Sequence, residues 1–195
     1  MGKKQRTFKG NGITEGVIWK QLLFFFFPIM LGSLFQQLYN VADAMIVGNF
    51  VGKQALAAVG GTTSVLINLL VGFFVGLSSG ATVVISQFFG GHSDREVSRS
   101  VHTAIMLALT GGAILMIVGI AAARPILQLM QTPEDVMDYS VTYIRIYFLG
   151  MIPSSIYNIG SGILRAVGDA KRPLYFLIAA CFTNIVLDLL FVVVF

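Results

Sequence analysis

The sequence predicts an all-α integral membrane protein, and two observations carry that prediction. The 195-residue chain is 56% hydrophobic and only 11% charged, with a mean hydropathy of +0.83. A soluble domain of this size has about 45–50% apolar and about 25% charged residues. The apolar residues are also gathered into long runs, and a helix needs about 20 such residues to cross the hydrocarbon core of a bilayer.

Five such runs are present, so we treat residues 1–195 as a single domain with five membrane-spanning helices. Their approximate bounds are 22–47, 56–89, 101–123, 139–164 and 174–195. The second run is long enough to protrude from the membrane or to bend near Gly80. Pro28 and Pro153 lie inside runs, where a kink is tolerated if neighbouring groups satisfy the freed carbonyls.

Two connections carry patterns that are typical of helix starts. Ser93 and Glu96 have the spacing of a capping box. In the segment 132–135 (TPED), Pro133 is predicted at the first helical position, with two acids in the first turn. A repeated small-xxx-small pattern predicts a close helix contact at Gly72, Gly76 and Gly80.

Several function classes are excluded by what the sequence contains. A single cysteine, Cys181, excludes an internal disulfide framework and a multi-thiolate metal site. Direct coupling to ATP has no support, because no phosphate-binding glycine loop ending in Lys-Ser/Thr is present. The net charge of +4 does not indicate a nucleic-acid partner, because the basic residues are distributed between apolar runs, as membrane topology requires.

The distribution of basic residues predicts a cytoplasmic N-terminus in a multi-pass protein of the plasma membrane. The first and third connections contain only Lys53 and Arg124. The N-terminal tail and the second and fourth connections contain Lys3, Lys4, Arg6, Lys9, Lys20, Arg95, Arg99, Arg165, Lys171 and Arg172. By the positive-inside rule the odd-numbered spans run outward. No cleavable signal peptide is predicted, because the apolar run from Leu22 is too long.

Polar residues inside the first and fifth spans form two one-sided patterns. Gln36, Asn40 and Asp43 are spaced by four and three, so they share a helix face. Asn184 and Asp188 share a face of the fifth span in the same way. Both spans run outward and both acids lie past the midpoint, so we expect both carboxylates in the outer half of the membrane, where they can meet across one cavity.

These carboxylates are candidates for a cation site. A charged side chain at mid-helix costs about 2.5–3.5 kcal/mol on insertion scales, and such residues usually face a bundle interior or a wet cavity. Two carboxylates with amide oxygens suit either a shared proton or a hard cation such as Na⁺. The alternative is that each acid lies near an interface or is hydrogen-bonded for packing; it stays open, more so for Asp43 than for Asp188.

The fourth span carries further polar groups. Tyr139 fits an interfacial aromatic belt, whereas Tyr143 and Tyr147 lie deeper, where a hydroxyl needs a partner. Asn158 and Arg145 are also predicted within this span, and their roles stay open.

Three stretches resemble one known family, the multidrug and toxic compound extrusion (MATE) transporters. The first helix, outer loop and start of the second helix of that family resemble LYNVADAMIVGNFVGKQALAAVG. The end of its second helix resembles GLSSGATVVISQFFGG. Its cytoplasmic loop and fifth helix resemble GILRAVGDAKRPLYFLIAACFTNIVLDLLF. Together the three cover most of residues 18–195 in family order.

The resemblance implies an antiporter, not an enzyme, that exports organic and often cationic amphiphilic compounds in exchange for Na⁺ or H⁺, without a cofactor. The family fold has twelve helices in two six-helix lobes. The chain is therefore predicted to be a partial N-terminal lobe, helices one to five. We expect a partial sequence or a truncated reading frame, with the missing C-terminal lobe in the full-length protein. We do not expect this chain alone to transport its drug-like substrates.

The resemblance also assigns site residues. In the branch of the family that includes the DNA-damage-inducible F-like proteins, an acid on helix one and an Asn-x-x-x-Asp on helix five form the cation site. Those roles fall on Asp43, Asn184 and Asp188, which would also hold Na⁺. A tyrosine or asparagine of helix four lines the site in relatives, and Tyr143 and Asn158 are the corresponding candidates. The face of Asp43 adds two further candidates for cavity lining, Gln36 and Asn40.

Three alternatives stay open beside this hypothesis. A lipid or polysaccharide flippase of related fold needs a strongly cationic cavity, and Arg145 is the only cation predicted within a span. An intramembrane aspartyl protease also uses two aspartates, but Asp43 follows Ala42 and Asp188 follows Leu187, unlike its Tyr-Asp and Gly-x-Gly-Asp motifs. The third alternative is a non-transporting membrane subunit. Membrane lipids are expected contacts in every case.

Overall fold

The computed structural model describes residues 18–194, and these are almost entirely helical. The basic tail with Lys3, Lys4, Arg6 and Lys9 lies outside the described residues, as does Phe195. The α-helices are α1 (Ile18–Ile46), α2 (Lys53–Gly60), α3 (Thr62–Gly90), α4 (Asp94–Leu129), α5 (Glu134–Leu149), α6 (Met151–Ala166) and α7 (Lys171–Leu189). Two π-helical turns, Val47–Val51 and Leu190–Val194, extend α1 and α7.

All five predicted runs are helical, and four stretches of the described chain are long and apolar enough to cross a membrane. These are Leu22–Val51, Lys53–Gly90, Asp94–Leu129 and Lys171–Val192. The helices extend beyond the predicted bounds because polar turns continue them. The clearest case is α4, whose 36 residues give a length of about 54 Å, well beyond the ~30 Å of a hydrocarbon core.

The fourth predicted run, 139–164, is interrupted. It consists of α5 and α6, separated by Gly150, whose φ of −80° and ψ of 0° depart from helical values. Pro153 occupies the third position of α6, where a missing N–H removes no bond within the helix. Phe148 lies beside Gly119 of α4 and Ser155 lies beside Gly112. Together, α5 and α6 therefore form one broken path antiparallel to α4.

The second predicted run is also interrupted, but at a different place from the one expected. At Gly80, where a bend was one of the two alternatives, α3 continues as a helix without interruption. The break is at Gly61, which separates α2 from α3 and whose N–H donates to the Ala57 carbonyl at 2.9 Å.

The predicted close contact through the glycine ridge of α3 is not made within the described chain. A β-carbon added at Gly72, Gly76 or Gly80 would meet no described atom within 4 Å. The reason is rotational, because α3 packs through its opposite face, where Phe74, Ser78 and Ile85 are buried. The close approaches are made instead at Gly112, Gly119 and Gly162.

Both predicted helix starts are correct to within one residue, but their capping details differ. The first residue of α4 is Asp94, and the Ser93 side chain makes no capping bond. The main-chain carbonyl of Ser93 accepts a hydrogen bond from the Glu96 N–H at 3.0 Å. Pro133 lies at the N-cap and not at the first helical position. Before it, the Thr132 and Thr62 hydroxyls share a 2.7 Å hydrogen bond that joins the loop to α3.

The helices pack in two groups. In the first, α3, α4 and the α5–α6 path enclose a core with Phe74, Leu127, Ile144, Phe148 and Met151. In the second, α1 packs mainly on α7, and the two run parallel, because Gly32 lies beside Leu174 and Leu177. Contacts between the groups are sparse, and a cavity lies between them.

Candidate functional site

The cavity between the two helix groups has a volume of about 600 Å³, within the range of small-molecule sites. It is lined by α1 and α7 on one side and by α3, α5 and α6 on the other. Its polar lining residues are Ser33, Gln36, Tyr39, Tyr147, Ser154, Tyr157, Asn158, Ser161, Arg165 and Asn184. Of the candidates from the sequence, Gln36, Asn158 and Asn184 line it.

The two aspartates lie within electrostatic reach of each other, but neither lines the cavity across which the sequence pattern predicted that they meet. Asp43 on α1 and Asp188 on α7 are partly buried and close enough for their charges to interact. They meet because α1 and α7 are parallel and both acids lie toward the helix ends. Asn184, one turn before Asp188, connects this pair to the cavity.

Two oxygen atoms at this position have no hydrogen-bond partner within the described chain. They are Asn184 Oδ1 and Asp188 Oδ2, both buried. A buried acceptor without a donor is costly, and a proton or a cation satisfies it. Carboxylate and amide oxygens also fit Na⁺, which prefers hard oxygen ligands. In the described chain no three His, Cys, Asp or Glu side chains form a metal cluster, so Na⁺ would need amide or hydroxyl oxygens as well.

Tyrosines from α1 and α5 lie on the Asp43 side of the acid pair. Tyr143, half-buried, is within electrostatic reach of Asp43 and Tyr39, although it does not line the cavity itself. Tyr147 lies near Tyr143 and Tyr39 and does line the cavity. Tyr39 was missed by the sequence interpretation, yet a signal was present, since it lies one helical turn before Asp43. Its other neighbours are Gln36 and Tyr157.

The two asparagines predicted to line the cavity from α1 and α6 have different outcomes. Asn40 is exposed outside the cavity, and its Nδ2 is 3.5 Å from Gln37 Oε1. Asn158 lines the cavity, but its Nδ2 donates to the Ser154 carbonyl at 2.9 Å, within its own helix. Its main-chain carbonyl accepts from Ser78 Oγ at 2.7 Å. Asn158 thus holds α6 against α3 in addition to lining the cavity.

Two arginines of this region differ in their position relative to the cavity. Arg145, the cation predicted within the fourth span, is exposed and does not line the cavity. Arg165, predicted in a connection, lines the cavity near the end of α6. Tyr139 is exposed, in keeping with its predicted position in an aromatic belt.

Comparisons with known proteins relate the chain to one family. The model of the MatE family matches residues 28–190. The chain is 35% identical over 188 residues to the probable multidrug resistance protein YpnP of Bacillus subtilis (strain 168), covering 96% of this chain and 42% of that protein. It is 32% identical over 170 residues to the probable multidrug resistance protein YoeA of the same organism, covering 87% and 36%.

Solved structures give the same result. A multidrug resistance MATE family transporter of the MOP superfamily in an outward-facing conformation matches with a TM-score of 0.88 and 27% identity, covering 96% of this chain and 41% of that chain. A MOP superfamily transporter from Pyrococcus furiosus Vc1 (DSM3638) matches with a TM-score of 0.87 and 28% identity, with the same coverage. The chain thus spans about two fifths of the length of these relatives.

Proposed function

Since the chain belongs to the MATE family, we propose that it forms helices one to five of the N-terminal lobe of a cation-coupled multidrug efflux antiporter. Members of this family are secondary transporters and not enzymes, and the chain is a multi-pass membrane protein. The proposal adds the coupling cation, the substrate class, a plasma-membrane location and a cytoplasmic N-terminus. The comparisons do not favour the flippase, the protease or the non-transporting subunit.

The coupling site in this proposal consists of Asp43, Asn184 and Asp188. The observation that carries it is the approach of two carboxyls from parallel helices, where Asp188 Oδ2 and the neighbouring Asn184 Oδ1 are buried without a donor among the described residues. Two like charges in a weakly polar environment repel each other, and the binding of H⁺ or Na⁺ removes that repulsion. Cation binding therefore favours closer approach of α1 and α7.

This approach gives a route from cation binding to substrate release. In the outward-open state the site takes up the cation from outside. Pro28 lies inside α1 and lines the cavity, and its missing N–H makes the helix easier to bend there. Bending α1 at this point so that its lining residues move into the cavity would narrow the cavity and expel the substrate. Rocking of the two lobes of the full-length protein then returns the site inward.

The proposed substrates are organic, often cationic, amphiphilic compounds. Three tyrosines line the cavity, Tyr39, Tyr147 and Tyr157, and aromatic faces attract cations. Apolar residues of α3 and α7, among them Val75 and Leu177, provide surface for the hydrophobic part of such a molecule. The multidrug resistance names of the relatives point to the same class.

The decisive experiment replaces Asp188 by Asn in the full-length protein. Asp188→Asn should abolish efflux of a cationic dye driven by a Na⁺ or H⁺ gradient in vesicles, while expression stays normal. The control is Asp135→Asn, because Asp135 is exposed in the first turn of α5. Gradient-driven efflux at the wild-type rate in Asp188→Asn would refute the coupling role. Applying Na⁺ and H⁺ gradients separately identifies the ion.

A further inference from the structure

A second concave surface lies away from the proposed coupling site, along residues 19–28 of α1 and beside Lys171 at the start of α7. This groove has a volume of about 610 Å³. Its lining consists of an apolar part, which we call the floor (Leu23, Phe24, Phe27 and Pro28), and of a second part, which we call the rim (Trp19, Lys20 and Lys171). The floor is open to the surroundings, since Phe24 is 78% exposed. Apart from Pro28, which also lines the cavity, none of these residues has a role in the proposed transport cycle.

The rim is strongly positive for structural reasons. The N-terminal, positive dipole end of α7 lies here, and neither the first turn of α7 nor the first described turn of α1 contains an acid. The nearby acid, Asp169, is occupied by Arg172, through the guanidinium at 3.0 Å and the main-chain N–H at 3.1 Å. The charges of Lys20 and Lys171 therefore have no ion-pair partner among the described residues.

Trp19 gives the rim the character of a membrane interface. The Lys20 ammonium lies 5.7 Å from the centre of the Trp19 ring, in cation–π range. Tryptophan is enriched at the headgroup level of bilayers, and lysine amines near helix ends reach toward the same level. The apolar floor matches the acyl chains of a phospholipid, and the two amines of the rim match its phosphate.

We propose that this groove binds an anionic phospholipid, with the phosphate between Lys20 and Lys171 and one acyl chain along Phe24 and Phe27. The proposal rests on the proposed orientation, which places this end of the helices in the cytoplasmic leaflet, where anionic lipids provide the complementary charge. Two ammonium groups and the N-terminus of α7 select a net negative headgroup over a zwitterionic one.

Trp19 makes the proposal measurable, because it is the only tryptophan among the 195 residues. The full-length protein, with any tryptophan beyond residue 195 replaced by Phe, is placed in nanodiscs of neutral lipid that contain a small fraction of brominated lipid. Brominated phosphatidylglycerol should quench Trp19 fluorescence at a lower mole fraction than brominated phosphatidylcholine. Each Lys→Gln change, at Lys20 or Lys171, should reduce this preference roughly fivefold.

The matched control is Lys53→Gln, at the exposed start of α2, which should leave the preference unchanged. Lys20→Arg with Lys171→Arg should retain it, because the charges remain. Equal quenching by the two lipids would overturn the proposal, as would a preference that survives the double Lys→Gln change or disappears on neutralising Lys3, Lys4, Arg6 and Lys9 alone. Quenching is measured without an ion gradient, so its outcome is independent of the coupling test.

Discussion

Ser155 of α6 packs directly against Gly112 of α4. A β-carbon on this glycine would lie 2.6 Å from the Ser155 hydroxyl oxygen and 3.2 Å from the α-carbon of Ile152. The same hydroxyl is 3.0 Å from the Ala108 carbonyl oxygen, an acceptor on α4. The two helices therefore meet at backbone distance, and hydrogen bonding and close packing coincide at one point.

Gly112→Ala should therefore destabilise the protein, by about 1–3 kcal/mol in the free energy of unfolding, because the added methyl group has no space. The neighbouring Gly111 faces open space within the described chain. Gly111→Ala should be neutral or stabilising, since alanine has the higher helix propensity. Unfolding in mixed micelles followed by circular dichroism measures both, and equal losses would contradict the close contact.

Thr132→Val should also destabilise the protein, by about 1 kcal/mol, because it removes the hydroxyl that bonds Thr62 without changing the side-chain shape much. The matched control is Thr142→Val, since Thr142 is exposed and its hydroxyl bonds only within its own helix among the described residues. The same unfolding assay applies. No difference between the two variants would show that the interhelical bond contributes nothing.

Tyr143→Phe should weaken coupling-ion binding in the full-length protein roughly tenfold, because a hydroxyl near Asp43 can bond the carboxyl. The control on the same helix is Tyr139→Phe, whose side chain is exposed. The measurement is the Na⁺ or H⁺ concentration that gives half-maximal dye efflux. Similar values for both variants would exclude Tyr143 from the site.

Asn184→Leu should raise the same half-maximal concentration by roughly tenfold or more, since a carbonyl oxygen that faces the cation is lost. Asn40→Leu is the control, because Asn40 lies outside the cavity. Both variants replace an asparagine by a residue of similar size within a membrane helix. Should Asn40→Leu have the larger effect, the cation site would have to be reassigned to the exposed face of α1.

The common depth of Asp43 and Asp188 was predictable from the sequence because it depends on span order and direction. Two spans of equal direction place such residues at the same level of the membrane, but the packing of α1 on α7 that brings the acids together is seen only in the structure. The position of Tyr39 beside Asp43 could also have been predicted, because Tyr39 precedes Asp43 by one helical turn. The family resemblance, and not the residue pattern, supplied the functional roles.

The helix breaks and the packing of the glycines were not predictable in this way. Gly61 and Gly150 interrupt two of the predicted spans, whereas other glycines, Gly80 among them, lie within unbroken helices. Whether a glycine bends a helix or lies at a contact depends on which face its neighbours approach. That information belongs to the tertiary structure, since hydrophobic patterning cannot distinguish a protein-facing side from a lipid-facing side when both are apolar.

The sparse contact between the α1–α7 pair and the remaining helices has a mechanical consequence. Thermal motion deforms a packed protein most easily where few atoms are in contact. The lobe should therefore flex along this seam, the boundary between the α1–α7 pair and the other helices, and resist deformation elsewhere. The acid pair lies on one side of the seam and Tyr143 on the other. An ion bound between the acid pair and Tyr143 would link the two sides of this boundary. The lobe would be stiffer with the ion bound and more flexible after the ion leaves.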